Sequence, residues 1–220
     1  METIFNNILD SDIKLNDKRA KIITIEGIDG AGKTTIVDKC VEKLNEEGYK
    51  AVHFNSSSNL NHFWKVVNSG LKEGYINSDT NQLLHNIAFL TYLRTIFIEL
   101  LNNNDFVLSE WYIYGKMVLS ELYTKDRNAN SKLFLEKEIT KNNVILPDYS
   151  FYIDIPPLIA SDRIKKRNDI PESKESLEML RYAHDVWEDY IKKYNIERID
   201  GQMTRDYISK RVLQKVLRKL

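Results

Sequence analysis

The chain has 220 residues, 42% of them hydrophobic, enough to close one substantial core without disulfides or metals. Its 32 basic and 32 acidic side chains cancel, and neither sign gathers in one half, which leaves no electrostatic footprint for polymeric nucleic acid. The lone cysteine, Cys40, rules out an internal disulfide, and the acidic, polar start from Met1 to Asn7 and the short apolar runs argue against a signal peptide or a membrane span. The expectation is a soluble, cytoplasmic protein whose partners are small molecules.

Residues 1–20 carry Ile4, Phe5, Ile8 and Leu9 on one amphipathic turn, then a polar stretch without periodicity, and read as an extension ahead of a single domain of residues 21–220. Ile22-Ile23-Thr24-Ile25 is a β-branched run suited to a strand buried on both faces of a parallel sheet. A Gly-rich turn follows, then a helix from Lys33 to Glu47 with Ile36, Val37, Val41 and Leu44 at helical spacing and Gly48 placed to end it. Lys50 to Phe54 predicts a second strand, and Leu60 to Val67 and Asn81 to Leu101 predict two helices. Phe106 to Glu110, Phe151 to Ile155 and Ile196 to Asp200 are further short apolar runs, each containing or ending in an acidic residue. Helical spacing covers Leu158 to Arg167, Leu177 to Tyr194 and Arg205 to Leu217. Strands alternating with helices imply right-handed crossovers and an α/β fold of three layers, with ligands at the carboxyl ends of the strands, where Glu26, Glu110 and Asp154 fall.

Gly27-Ile28-Asp29-Gly30-Ala31-Gly32-Lys33-Thr34 satisfies G-x-x-x-x-G-K-[ST] between a strand and a helix, the context this P-loop motif requires. Glycines let the backbone turn sharply and bring its N–H groups to phosphate oxygens, and the helix starting near Lys33 adds its partial positive end. A polyphosphate is the natural guest, and ATP with Mg²⁺ is expected. Gly27, Gly30, Ala31, Gly32, Lys33, Thr34 and Thr35 form its cradle, with Lys33 on the β and γ phosphates and Thr34 on the metal. Cys40 reads as a small buried apolar residue, and His53, His62, His85 and His184 show no paired metal-ligand spacing.

Ile23-Thr-Ile-Glu-Gly-Ile-Asp-Gly-Ala-Gly-Lys-Thr-Thr35 resembles the first strand and P-loop of thymidylate kinases. Leu146-Pro-Asp-Tyr-Ser-Phe-Tyr-Ile-Asp-Ile-Pro-Pro-Leu-Ile-Ala-Ser-Asp-Arg-Ile-Lys-Lys-Arg167 resembles their fourth strand and the basic helix leading into a mobile lid, here about residues 163–176. With the region from Leu90 to Trp111 and the strand Ile196 to Asp200, the resemblance spans about residues 21 to 215. It implies a five-stranded parallel sheet flanked by helices, ATP and Mg²⁺, transfer to a nucleoside monophosphate such as dTMP, and commonly a homodimer. It also implies that Asp29 approaches the acceptor sugar and that Arg94 faces the acceptor base, although Arg94 could instead bridge to Glu99. Arg163 and Arg167 match the lid side. Because Gly30 stands where some members carry an arginine, those two would supply the charge for the transition state.

The acceptor side departs from the family pattern. An Asp-Arg pair after the third strand, whose arginine grips the acceptor phosphate, is here Glu110-Trp111. Leu90 replaces an aromatic that stacks on thymine, with Phe89 adjacent, and Val118-Leu119-Ser120 replaces Ala-Tyr-Gln. Asp29, Arg94, Phe89, Glu110 and Tyr112 remain the expected acceptor contacts, with Glu110 also catalytic and, beside Thr34, a metal ligand. A monophosphate acceptor needs cations to bring two polyanions together, whereas a nucleoside hydroxyl needs a base such as Glu110. A deoxynucleoside kinase is thus the alternative, which Leu177 to Tyr190 resembles in its helix after the lid. An ATP-binding protein without catalysis, or a kinase for another small metabolite, also stays open.

Overall fold

The structure, a computed structural model, describes residues 19–55, 61–167 and 175–218. Five parallel strands form one sheet in the order β2-β3-β1-β4-β5, with β1 (Lys21–Glu26) at its centre. β3 (Phe106–Glu110) and β4 (Tyr149–Asp154) flank it, and β2 (Ala51–Phe54) and β5 (Glu197–Asp200) form the edges. The centre is where continuous apolar runs belong, because helices cover both faces of a parallel sheet. Ile22, Ile23, Ile25, Val107, Leu108 and Ile153 are accordingly fully buried. At the amino ends Asp148 fixes the register of β1 against β4. Its carboxylate accepts from the Ile22 N–H at 2.8 Å and from the Arg19 guanidinium at 2.7 Å. At the other end β1, β3 and β4 finish in Glu26, Glu110 and Asp154, as the acidic endings of the runs predict.

α1 (Lys33–Glu46) leaves the Gly-rich turn and packs against α9 (Arg205–Leu217). α7 (Pro157–Arg167) and α8 (Leu177–Tyr194) pack together, and both agree with the helical spacing of the sequence. The Ser176 hydroxyl accepts from the Met179 N–H at the start of α8, and the Thr204 hydroxyl does the same for Tyr207 at the start of α9. α2 (Asn61–Lys72) runs five residues beyond Val67, while Leu60 lies outside the described residues. Residues 1–18 of the extension and 168–174 of the lid also lie outside them.

Two stretches differ from expectation. The helix expected from Asn81 to Leu101 is α3 (Ser78–Tyr92), capped by Asn77, then a π-helical turn at Leu93–Phe97, then α4 (Ile98–Asn103). The wider turn re-phases the apolar stripe, so that Phe97 and Leu101 stay buried and the Phe97 ring reaches 4.6 Å from that of Phe54. The second stretch holds α5 (Ile113–Thr124) and α6 (Asn130–Thr140), which pack on α3 and carry no clear amphipathic signal. α5 buries Ser120 and Glu121 along with Met117 and Val118, and α6 buries Leu135 and Ser131 alone, so helical periodicity is blurred in one and sparse in the other.

Candidate active site

The P-loop joins the end of β1 to the start of α1. Gly27, Gly30 and Gly32 all hold positive φ, and a Cβ at Gly30 would lie 2.6 Å from the Ala160 carbonyl of α7. The loop is therefore pressed onto α7, and position 30 has no room for the arginine that some thymidylate kinases place there. α1 starts without a side-chain cap or an acidic residue in its first turn, which leaves its leading N–H groups directed at an incoming anion. Lys33 is only 6% exposed. Its ammonium donates to the Ile28 carbonyl at 3.0 Å, lies 3.7 Å from the Asp29 carboxylate and sits 4.6 Å from the centre of the Trp111 ring.

The Thr34 hydroxyl lies 2.9 Å from both carboxylate oxygens of Glu110, joining the start of α1 to the end of β3. The pair borders a cleft of about 980 Å³ that also takes in Lys33, Trp111, Arg163 and Arg167. A hydroxyl and a carboxylate at one mouth are the hard oxygen donors that Mg²⁺ takes when phosphates and waters supply its other ligands. Among the described residues no group of three or more His, Cys, Asp or Glu side chains could hold a metal ion without such help.

Behind the pair, Glu26 is fully buried, and neither of its oxygens has a hydrogen-bond partner. Burial pushes its pKa up to about 8, and the nearby Lys33 charge only partly opposes this. The Tyr112 N–H pulls the pKa down a little further by its dipole without closing a hydrogen bond of normal geometry. Gly115 on α5 makes the space, since a Cβ there would meet the Glu26 carboxylate and the Trp111 ring at 2.8 Å each.

The expected acceptor contacts separate into two groups. Asp29 and Glu110 stand at the cleft with Lys33, and Asp29 also borders a small apolar crevice between Trp111, Leu119, Met179 and Leu180. Phe89 and Tyr112 are fully buried behind the cleft wall, their rings edge to face at 5.7 Å, and the Tyr112 hydroxyl donates to the Ile145 carbonyl. Arg94 lies in the π-helical turn and is held 3.6 Å from Glu138 of α6, not by Glu99. On the lid side the Arg163 guanidinium donates to the Gly201 carbonyl at 3.1 Å, and Arg167 pairs with Glu175 at 2.6 Å. Asp154 is bound by His184 and Arg198, at 3.0 and 2.8 Å. The contact between Trp111 and Lys33 had no signal in the sequence, where Trp111 is only a departure from a motif.

The sequence model of the thymidylate kinase family matches residues 25–212, from the end of β1 into α9. Similar proteins include a thymidylate kinase of Leptospira interrogans, 27% identical over 210 residues that cover 91% of this chain and 95% of the relative. A thymidylate kinase of Leptospira borgpetersenii is 30% identical, covering 89% of this chain and 93% of its own. A probable thymidylate kinase of Methanosarcina barkeri is 28% identical, covering 90% and 97%. With a five-stranded parallel sheet, a complete P-loop at the end of its central strand and a family match across almost all of that fold, the chain belongs to the thymidylate kinase family of P-loop nucleoside monophosphate kinases.

Proposed function

We propose that this protein transfers the γ-phosphoryl group of MgATP to a deoxynucleoside monophosphate, dTMP first among them. The observation that carries the reading is the convergence of Lys33, the Thr34–Glu110 pair and Arg163 on one cleft. Similar chains named thymidylate kinases support the choice of acceptor. The P-loop N–H groups and Lys33 bind the β and γ phosphates, and Thr34 and Glu110 hold Mg²⁺. When bound, Mg²⁺ neutralises charge on the phosphate oxygens. Arg163 and Arg167 supply positive charge to the transferring group, and Arg167 exchanges its Glu175 partner for phosphate as it does so. Asp29 accepts from the acceptor sugar. The monophosphate is already ionised and needs no base.

A second reading is favoured by one observation: Trp111 puts an apolar ring beside Glu110, where an acceptor phosphate would call for a cation. In that reading the acceptor is a nucleoside, and Glu110 takes the proton of its 5′-hydroxyl. An ATP-consumption assay with Mg²⁺, run in parallel on the common deoxynucleosides and their monophosphates, decides. Preferred turnover of dTMP supports the proposal. Turnover of thymidine without turnover of dTMP replaces it with the second reading, and ATP binding without any turnover leaves a nucleotide-binding protein.

A further inference from the structure

Trp111 holds φ at 52°, a left-handed backbone that a bulky residue adopts only when its surroundings impose it. It stands between the end of β3 and the start of α5, half-buried, and three contacts fix its ring. Gly115 lies against it without a side chain, Trp187 of α8 packs on it at 6.4 Å between ring centres, and the Lys33 ammonium rests over its face at 4.6 Å. The ring is also a wall shared by the large cleft and the apolar crevice.

We propose that Trp111 is a positioning residue for Lys33. Its indole face, the Ile28 carbonyl and the Asp29 carboxylate form a three-sided socket that holds the ammonium across the mouth of the P-loop, where the β and γ phosphates arrive. A long lysine chain free to sample its rotamers would lose entropy at each encounter with nucleotide, and the socket removes that loss in advance. The aromatic face attracts a cation through its quadrupole without adding charge. This suits a site already holding the carboxylates of Asp29 and Glu110, where a further anion would compete with phosphate. Leucine keeps part of the apolar volume without the attraction, whereas phenylalanine keeps an aromatic face for the cation. The inference rests on MgATP being the donor and is independent of the acceptor.

The test compares wild type, Trp111→Leu and Trp111→Phe in steady-state turnover, with ATP varied at saturating acceptor. The expected result is a fall of about fivefold in kcat/KM for ATP in Trp111→Leu and recovery to within about twofold of wild type in Trp111→Phe. No fall in Trp111→Leu, or equal falls in both variants, overturns the proposal. A second measurement leaves Trp111 in place and uses its fluorescence, with Trp111→Phe as the blank for the emission of Trp64 and Trp187. Lys33→Met is expected to change Trp111 emission in the nucleotide-free protein, and the magnesium complex of a β,γ-imido ATP analogue to change it in wild type but not in Lys33→Met. Emission indifferent to Lys33→Met overturns the proposal. Calorimetry with the same analogue separates the two ways of failing: no binding to wild type removes the donor reading and the proposal with it, whereas binding with indifferent Trp111 variants removes the proposal alone.

Discussion

Thr34 and Glu110 lie 76 positions apart in sequence, yet the Thr34 hydroxyl is equidistant, at 2.9 Å, from both oxygens of the Glu110 carboxylate. The contact ties the first turn of α1 to the last residue of β3 and gathers hard oxygen donors beside the P-loop. Replacing Glu110 by Gln keeps an acceptor for the Thr34 hydroxyl but removes the charge that favours a divalent cation. Turnover is expected to fall about 100-fold at 1 mM Mg²⁺ and to recover partly as Mg²⁺ is raised, in the manner of a weakened ligand. A loss of the same size at every Mg²⁺ concentration, seen with a nucleoside acceptor, would instead identify Glu110 as the base.

Lys33→Ala removes the one ammonium that the P-loop encloses. The charge acts mainly on the transferring phosphoryl group, so turnover is expected to fall about 10³-fold. The ammonium bonds to the Ile28 carbonyl and pairs with Asp29, and beyond the loop it meets the Trp111 face, so the circular dichroism spectrum should be unchanged. Turnover near wild type would contradict the assigned role.

Glu26 gives the nucleotide-free protein a pH dependence of definite sign. Its pKa in the folded state is raised from an ordinary 4.5 to about 8, so between those values the folded state holds a proton that the unfolded state has released. Stability is therefore full below about pH 4.5 and declines as pH rises towards 8. His85 acts in the opposite sense, because burial lowers its pKa from 6.5 to about 4, and stability is lost as pH falls through that window. Above pH 6.5 only Glu26 of the two contributes a slope. Urea unfolding should show wild type losing roughly 2 kcal/mol between pH 6.5 and 8, and Glu26→Gln losing far less. Parallel curves for the two proteins would show that the buried carboxyl is not the source.

The parts of the fold that were readable from sequence are those whose physics is local. The β-branched run at Ile22, the P-loop and the apolar spacing of Leu177 to Tyr194 each depend on neighbours in the chain, and each element forms where that reading puts it. α5 escaped because it is buried on faces that include Ser120 and Glu121, whose partners, Asn86 and Tyr190, come from distant segments. The site divides in the same way. Lys33, Thr34 and Glu110 follow from a motif and a strand end, whereas burial of Phe89 and Tyr112 and the pairing of Arg94 with Glu138 follow from how α3, its π-helical turn and α6 pack. One residue of re-phasing within a helix rotates a side chain by about 100°, enough to move it from a cleft to a core. Position 111 illustrates the remainder: its left-handed backbone and its contact with Lys33 are properties of the assembled site.

Gly30 and Gly48 separate backbone strain from close approach. Both hold positive φ, at 82° and 91°, so alanine at either position carries a similar strain of about 1 kcal/mol. Nothing lies within 4 Å of a Cβ at Gly48, at the end of α1, whereas at Gly30 the Cβ would be 2.6 Å from the Ala160 carbonyl. Gly48→Ala should lose about 1 kcal/mol in urea unfolding and bind ATP as wild type does. In Gly30→Ala the loop must lift from α7, which moves the N–H groups that cradle phosphate, so the expected loss is about 2–3 kcal/mol together with ATP affinity reduced more than tenfold. Equal stability losses and equal ATP affinities in the two variants would mean that the contact between the P-loop and α7 does not set the shape of the phosphate site.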